Sequence, residues 1–463
     1  MINSNPYYNE IPRRLRQHIH NIGQILIHPK LRTLVWEATR NCNLSCFHCC
    51  IPKADWRIDS ELTTQQAKRI FAEIAEDLNP KEIHVAITGG EPTLRKDLIE
   101  VVKFLSDLSF KTVSVDSNGI NYVKDLSLLD KLVESGMTAG TIGVDGLRKG
   151  YRKTRGIDYF HKIINVLRYA ISRHSDRLYL TTFTVVNNYN KNEIPRLMEI
   201  LADIGLKYGR VTTVSKIGRA DAVDERVYKL NNKELYNLLQ WIAQKREDYM
   251  HGRFPMEIEL SDDGWCGLRY ELLTKKFEHI FFCATGITVA SILYDGKISA
   301  CPHISRDLTI QGDALKERFS DVWNNRFQSF RNKNWLRKGK CKNCEEWLYC
   351  RGGPMHYRDK DGTMKQCIYD DVKEVDHYEK RLRSPKLKMI QKGGITMARI
   401  KIKDLPRDRK ISKEELRQVF GGLQVLGGLQ ISGGLKFPKD WIAQTQMIPS
   451  SSSYGYTTVE VGG

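Results

Sequence analysis

The stretch TLVWEATRNCNLSCFHCC, residues 33–50, runs from a strand-like apolar segment (33–38) directly into a loop that carries four cysteines. Cys42, Cys46 and Cys49 form C-x3-C-x2-C. Soft thiolate ligands at this spacing point to a metal group rather than to a disulfide framework. A structural zinc ion usually takes four protein ligands, and a [4Fe–4S] cluster normally takes four thiolates. Three cysteines would leave one iron open for a substrate or cofactor. Cys50 is adjacent, and its side chain is expected to point away if the first three converge. The competing reading is a structural zinc loop with a remote fourth ligand.

Working outward, strand-like runs recur at 33–38, 82–88, 111–116, 140–145, 178–187 and 209–214, separated by amphipathic helical stretches. Six βα units in series predict an α/β fold, a partial (β/α)6 TIM-like barrel. In such a fold the chemistry sits at the C-terminal ends of the strands. The unusual residues fall there: the cysteine loop after the first strand, Gly89-Gly90-Glu91-Pro92 after the second, Ser117-Asn118-Gly119 after the third, and Asp145-Gly146 after the fourth. The expected organisation is an N-terminal extension (1–30), the barrel (31–220), a helical bridge (221–262), a small cysteine-rich domain (263–382), a flexible basic linker (383–396) and a tail of different character (397–463).

Composition narrows the class. The chain has 463 residues, 41% hydrophobic and 28% charged, enough for real cores and for more than one domain. The longest apolar stretch, 280–294, is interrupted and shorter than the ~18 residues a membrane span needs. The N-terminal residues have no apolar run that could serve as an export signal. A cytoplasmic protein without a membrane partner is expected. The net charge is +18, but the basic residues form no aromatic-interleaved stripe, so no nucleic-acid partner is expected.

The loop CNLSCFHC (42–49), with TGGEP about forty residues later, resembles the radical S-adenosylmethionine (radical SAM) superfamily over roughly residues 31–220. The resemblance implies a [4Fe–4S] cluster on Cys42, Cys46 and Cys49. Its open iron would bind the amino and carboxylate groups of SAM, and one electron would cleave SAM to a 5′-deoxyadenosyl radical that takes a hydrogen atom from an unactivated carbon. It further implies that Gly89, Gly90 and Glu91 hold the SAM amino group, that His48 lies near the adenine, and that Ser117 and Asn118 meet the ribose. Asp145-Gly146 and Arg155-Gly156 resemble a pattern of peptide-modifying members in which an arginine and a serine contact SAM. Arg155 is retained; the serine position is Gly143.

Cys283-x12-Gly296-x4-Cys301, then Cys341-x2-Cys344-x5-Cys350 and Cys367, resembles the SPASM domain, which holds auxiliary [4Fe–4S] clusters, against a competing zinc-ribbon or rubredoxin-like reading. Cys341, Cys344, Cys350 and Cys367 would complete one cluster. Cys283, Cys301 and Cys266 would serve the other, whose fourth family cysteine is replaced by Pro354. That leaves an open iron, a noncysteine ligand, or no second cluster. Pro302 stands where the family often has an acidic residue, so no catalytic base is assigned.

The tail resembles a ribosomal-peptide precursor. Residues 399–403 alternate apolar and basic, and Ser412-x-x-Glu415 is a capping box ahead of an apolar helical face. This leader-like segment (397–422) ends at Gly421-Gly422 and precedes a Ser- and Gly-rich, core-peptide-like segment (423–463). Such leaders add a strand to a small recognition domain. None is legible before Leu31, so a separate recognition protein is expected, together with an electron donor such as flavodoxin or ferredoxin. The 32 residues from Gly422 to Tyr454 span ~30 Å as a coil and up to ~100 Å extended, enough to reach a buried site. The competing reading is a C-terminal extension with no substrate role.

The tail lacks cysteine, which excludes thioether formation from it. Ser453-Tyr454-Gly455 fits the X-Tyr-Gly motif of the spliceases, radical SAM/SPASM enzymes that excise tyramine and leave an α-keto-β-amino amide. Aromatic cross-linking at Trp441 or Tyr456 and epimerisation are the alternatives. A sulfatase-maturase reading would need an acidic residue at 302. A noncatalytic iron–sulfur carrier is the alternative of another class, and SAM cleavage discriminates.

Overall fold

A computed structural model describes residues 20–51, 61–261, 264–276, 279–382, 445–448 and 458–461. The strands β1 (Thr33–Thr39), β2 (His84–Gly89), β3 (Thr112–Ser117), β4 (Ala139–Gly143), β5 (Tyr179–Val186) and β6 (Tyr208–Thr213) lie side by side in sequence order, all parallel. Helices α1 (Thr64–Asp77), α2 (Leu98–Asp107), α3 (Ser127–Glu134), α4 (Arg148–Arg155), α5 (Phe160–His174) and α6 (Ile194–Asp203) connect them. Every residue of β1 is buried, as expected of a parallel strand covered on both faces. The first helix shows why the covering layer forms. Thr63 and Gln66 make a reciprocal capping box at its start, and Ala67, Ile70, Phe71 and Ile74 form one buried stripe. Phe71 meets the buried Trp36 of β1 edge-on, with ring centroids 5.5 Å apart. No helix among the described residues is long and apolar enough to cross a membrane.

The sheet does not stop at six strands. Its order is β10-β9-β8-β1-β2-β3-β4-β5-β6-β7, an open ten-stranded arrangement. β7 (Glu257–Leu260), inside the segment expected to be a helical bridge, pairs parallel with β6 after the long helix α7 (Asn232–Met250). At the other edge β8 (Val289–Ile292) pairs parallel with β1, and β9 (Lys297–Ser299) and β10 (Ile310–Asp313) follow antiparallel. The cysteine-rich segment is thus built onto the barrel's own sheet, and helix α8 (Ile368–Leu382) closes it. In the tail, β11 (Thr445–Ile448) and β12 (Thr458–Val461) pair antiparallel. The leader-like segment and Ser453, Tyr454 and Gly455 lie outside the described residues.

β7 escaped the sequence reading because its four residues, EIEL, carry two carboxylates. Both are buried and paired. Glu257 meets Arg246 Nη1 of α7 at 2.7 Å and Lys276 Nζ at 2.9 Å. Glu259 accepts from Tyr208 Oη of β6, from the Lys276 backbone N–H at 2.7 Å, and contacts His279 Nδ1 at 2.7 Å. Burial alone would raise the Glu259 carboxyl; His279, Arg246 and Tyr208 outweigh it and hold the group at about 2, against an ordinary 4.5. A depressed folded-state value contributes stability that is present above pH 4.5 and lost as pH falls toward 2. Glu259→Gln is expected to lower stability at neutral pH by on the order of 2–3 kcal/mol. It should also flatten the loss of melting temperature between pH 4.5 and 3, measured by circular dichroism.

Candidate functional site

At the C-terminal ends of the strands lies a cavity of about 320 Å³. Its floor is the cysteine loop, held from two sides. On one side the Gly89-Gly90 turn leaves β2 against the backbone that leaves β1. The Gly90 N–H donates to Thr39 O and the Glu91 N–H to Asn41 O, both at 2.7 Å. A Cβ at Gly90 would stand 2.1 Å from Asn41 O, and one at Gly89 2.2 Å from Thr39 O, so only glycine permits this approach. The Glu91 carboxylate is fully buried and accepts from Thr93 N, Thr93 Oγ1, Ser117 Oγ and Asn118 N. Burial raises its pKa, opposed by these four donors. Asn118 carries the linkage to the cysteines: its Nδ2 donates to Asn43 Oδ1 at 2.7 Å and lies 3.8 Å from Cys42 Sγ.

On the other side the turn after β6 clamps the same loop. The Arg219 N–H donates to Cys49 O at 2.9 Å, and its Nε to Cys46 O at 2.8 Å. Gly218, at φ +59°, would place a Cβ 2.2 Å from Cys50 O. Cys42, Cys46 and Cys49 all line the cavity, and so does Cys50. Burial pushes the Cys42 thiol up and the Cys46 thiol up to about 12. A hydrogen bond from Cys50 holds Cys49 below the ordinary thiol range, and the same contact pushes Cys50 up. As thiolates the three would repel one another in a buried place. Such a donor set suits a positively charged iron–sulfur core. Among the described residues no three His, Cys, Asp or Glu side chains converge on a single-ion site.

The wall at β4 and β5 is packed around Gly143, which stands where the resembled pattern has a serine. A Cβ at Gly143 would stand 2.0 Å from Arg155 Nη2, so the guanidinium occupies the volume a serine side chain would need. Arg155 Nε pairs with Asp145 Oδ2 at 2.8 Å; both residues are buried. Asp145 Oδ1 accepts the Val185 N–H at 2.7 Å. His48 Nε2 lies 3.3 Å from Asp145 Oδ2, and burial lowers its pKa to about 4, so the ring is neutral near pH 7. Its Nδ1 is buried without a partner. His48, Gly90, Ser117, Asn118 and Arg155 line the cavity; Gly89, Glu91 and Asp145 are not among the lining residues, and Glu91 and Asp145 bond to Ser117, Asn118 and Arg155, which are.

The opposite wall comes from the cysteine-rich segment. Cys283 and Cys301 line the same cavity, with Pro302, Pro354, His303 and His356. Burial would raise the Cys283 thiol, but the Lys333 ammonium and the Thr285 and Met355 hydrogen bonds outweigh it and lower the value. Burial lowers His303 to about 3 and His356 to about 4, leaving two neutral imidazoles there. Cys266 is placed elsewhere: it is buried, outside the cavity lining, with Sγ 3.1 Å from Glu271 Oε1, which also binds Lys275. Cys341, Cys344, Cys350 and Cys367 form a separate group. Burial and the neighbouring sulfurs of Cys367, Cys341 and Cys344 push Cys350 up, and Arg358 Nη2 is 3.3 Å from Cys341 Sγ. This four-thiol set also fits an iron–sulfur cluster.

Residues 36–201 match the model of the Radical SAM superfamily, and residues 283–345 match an iron–sulfur cluster-binding domain, SPASM. The chain carries a radical SAM domain and a SPASM domain. Together they imply [4Fe–4S] clusters and S-adenosylmethionine as cofactors. A probable GTP 3′,8-cyclase of Saccharolobus islandicus is 26% identical over 285 residues, 61% of this chain and 86% of that protein. Among solved structures, Streptococcus suis SuiB bound to its precursor peptide SuiA is similar at TM-score 0.58 and 16% identity, over 79% of this chain and 81% of that chain. The anSMEcpe enzyme with bound AdoMet and the Cp18Cys peptide is similar at TM-score 0.58 and 19% identity, over 79% of this chain and 99% of that chain. At these identities the structural likeness is one of fold.

Several cavity residues were not singled out from the sequence. Arg210 and Phe183 sit at inward positions of strands, where alternation alone signals only a buried face. Arg219 and His356 lie on short 3-10 helices and His303 in a turn, none of them within a motif. The clamp after β6 makes a direct prediction. Gly218→Ala sets a Cβ against the backbone of Cys49 and Cys50 and must push the two loops apart. Iron per chain, measured after anaerobic reconstitution, is expected to fall by the share of the first cluster. Unchanged iron content would show that the clamp does not hold the cysteines.

Proposed function

We propose that this radical SAM enzyme modifies a ribosomally made peptide, and that the reaction is excision of tyramine at Ser453-Tyr454-Gly455. The observation that carries the reading is the precursor-like tail joined to a radical SAM/SPASM chain, with an X-Tyr-Gly site in its core-peptide-like part. One cavity walled by both domains supports it, because a side chain entering there meets the cysteine loop on one side and Cys283 and Cys301 on the other. Peptides bound in SuiB and anSMEcpe make the same fold a precedent for peptide access.

In this reading Cys42, Cys46 and Cys49 hold the first cluster, Gly89 and Gly90 let the backbone approach the SAM amino group, and Arg155 meets its carboxylate. When bound and reduced, the cluster and SAM supply a 5′-deoxyadenosyl radical that abstracts a hydrogen atom from the peptide. The chain's own part is positioning and exclusion of water. Asp145 orients Arg155, neutral His48 offers an uncharged face beside the cofactor, and the buried walls keep solvent from the radical. A small leader-recognition protein in trans and a flavodoxin- or ferredoxin-type electron donor complete the system. A second reading takes its substrate from the named relative, GTP, and draws on the three arginines at the cavity.

Mass spectrometry of the tail decides among these. After anaerobic reconstitution with SAM and reductant in D₂O, with and without a recognition protein, loss of a tyramine unit at Tyr454 is expected. Loss of two hydrogens would mean cross-linking, and deuterium gain would mean epimerisation. Deoxyadenosine formation stimulated by GTP, with an unchanged tail, would favour the second reading. Cys42→Ala is expected to abolish deoxyadenosine in every case.

A further inference from the structure

Three arginines reach the cavity, and two are committed. Arg155 pairs with Asp145, and Arg219 donates to the cysteine loop. Arg210 is different. It sits on β6 at 2% exposure, opposite Phe183 of β5, whose ring centroid is 4.9 Å from the guanidinium carbon. Its Nη2 donates to Thr141 Oγ1 of β4 at 3.3 Å. Its Nε and Nη1 are buried without any hydrogen-bond partner, and among the described residues no carboxylate pairs with it.

An arginine cannot shed its proton at physiological pH. Glu259 stands beside Arg210 in the β6–β7 register, but its hydrogen bonds go to Tyr208, Lys276 and His279, so the buried Nε and Nη1 donors stay unsatisfied, at a cost. The ring and the threonine fix the guanidinium plane. Nε and Nη1 lie on different edges of that plane, and each shares its edge with Nη2, so a carboxylate bound at either edge would pair one open donor with the second Nη2 hydrogen.

We propose that Arg210 is a substrate-anchoring residue that takes a side-chain carboxylate of the peptide against the Phe183 ring. This rests on the peptide reading of the site. The tail has the matching chemistry: after Gly422 its only acidic side chains are Asp440 and Glu460, one on each side of Tyr454. The cofactor's own carboxylate is assigned in that reading to Arg155, which leaves Arg210 for the substrate.

The test uses the reconstituted full-length chain with Arg210→Gln and Arg210→Lys. Without added ligand, Arg210→Gln is expected to melt at the same temperature as wild type or higher, because a purely structural arginine would lower it. Millimolar N-acetylglutamate amide is expected to raise the melting temperature of wild type but not of Arg210→Gln, and N-acetylglutamine amide to raise neither. SAM affinity, by equilibrium dialysis, is expected to stay unchanged. In the tail-modification assay, Arg210→Gln and either Asp440→Asn or Glu460→Gln should each cost about tenfold to a hundredfold, and the pair combined no more than one alone. The acidic variant that shows the effect identifies the carboxylate. Arg210→Lys is expected to recover part of the rate. A lowered melting temperature with no N-acetylglutamate response, or a loss of SAM binding in Arg210→Gln, would overturn the proposal. If the wild-type tail is never modified, the tail reading fails, while the N-acetylglutamate experiment still decides the role of Arg210.

Discussion

A carboxylate with no access to water organises the rim of this cavity. Glu91 is fully buried, and an isolated charge there would cost several kcal/mol. It is tolerated because Thr93, Ser117 and Asn118 supply four donors. Those donors come from two different loops, after β2 and after β3, so satisfying one side chain locks both loops together. The neighbouring glycines then press this unit onto the backbone of Thr39 and Asn41, where the cysteine loop begins. The positions of Cys42, Cys46 and Cys49 are therefore consequences of a polar network several residues away.

A similar economy governs the opposite wall. Gly143 has no side chain, so Arg155 can fill the space beside β4 and still reach Asp145. The volume is used by a cation instead of a hydroxyl. His48, beside the same aspartate, stays neutral because burial outweighs the carboxylate's pull.

The two domains are continuous through hydrogen bonding. β8 adds to β1 in parallel register, and this places Cys283 and Cys301 on the cavity that the cysteine loop floors. Cys283 and Cys301 could hold an auxiliary group at the cavity, whereas Cys341, Cys344, Cys350 and Cys367 are not among its lining residues. Cys266 takes no part in that wall, because its thiol is held by Glu271 in a buried network with Lys275.

By itself the sequence determined the six parallel strands, the helices between them, and the loops that carry Cys42–Cys49, Gly89–Glu91 and Ser117–Asn118. These are legible because burial on both faces gives near-continuous apolar strands, and because close backbone approach and iron ligation each demand one residue type at fixed spacing. The tertiary structure alone decided the rest. β7 was hidden by Glu257 and Glu259, whose charges become acceptable only when Arg246, Lys276 and His279 arrive from elsewhere in the chain. The joining of β8 to β1 pairs residues more than two hundred positions apart, and local pattern carries no information about such pairing. The state of Arg210 belongs to this second class. An arginine in a strand reads as an exposed face until the neighbouring strands show that it points inward, between Thr141 and Phe183, with Nε and Nη1 left without a hydrogen-bond partner.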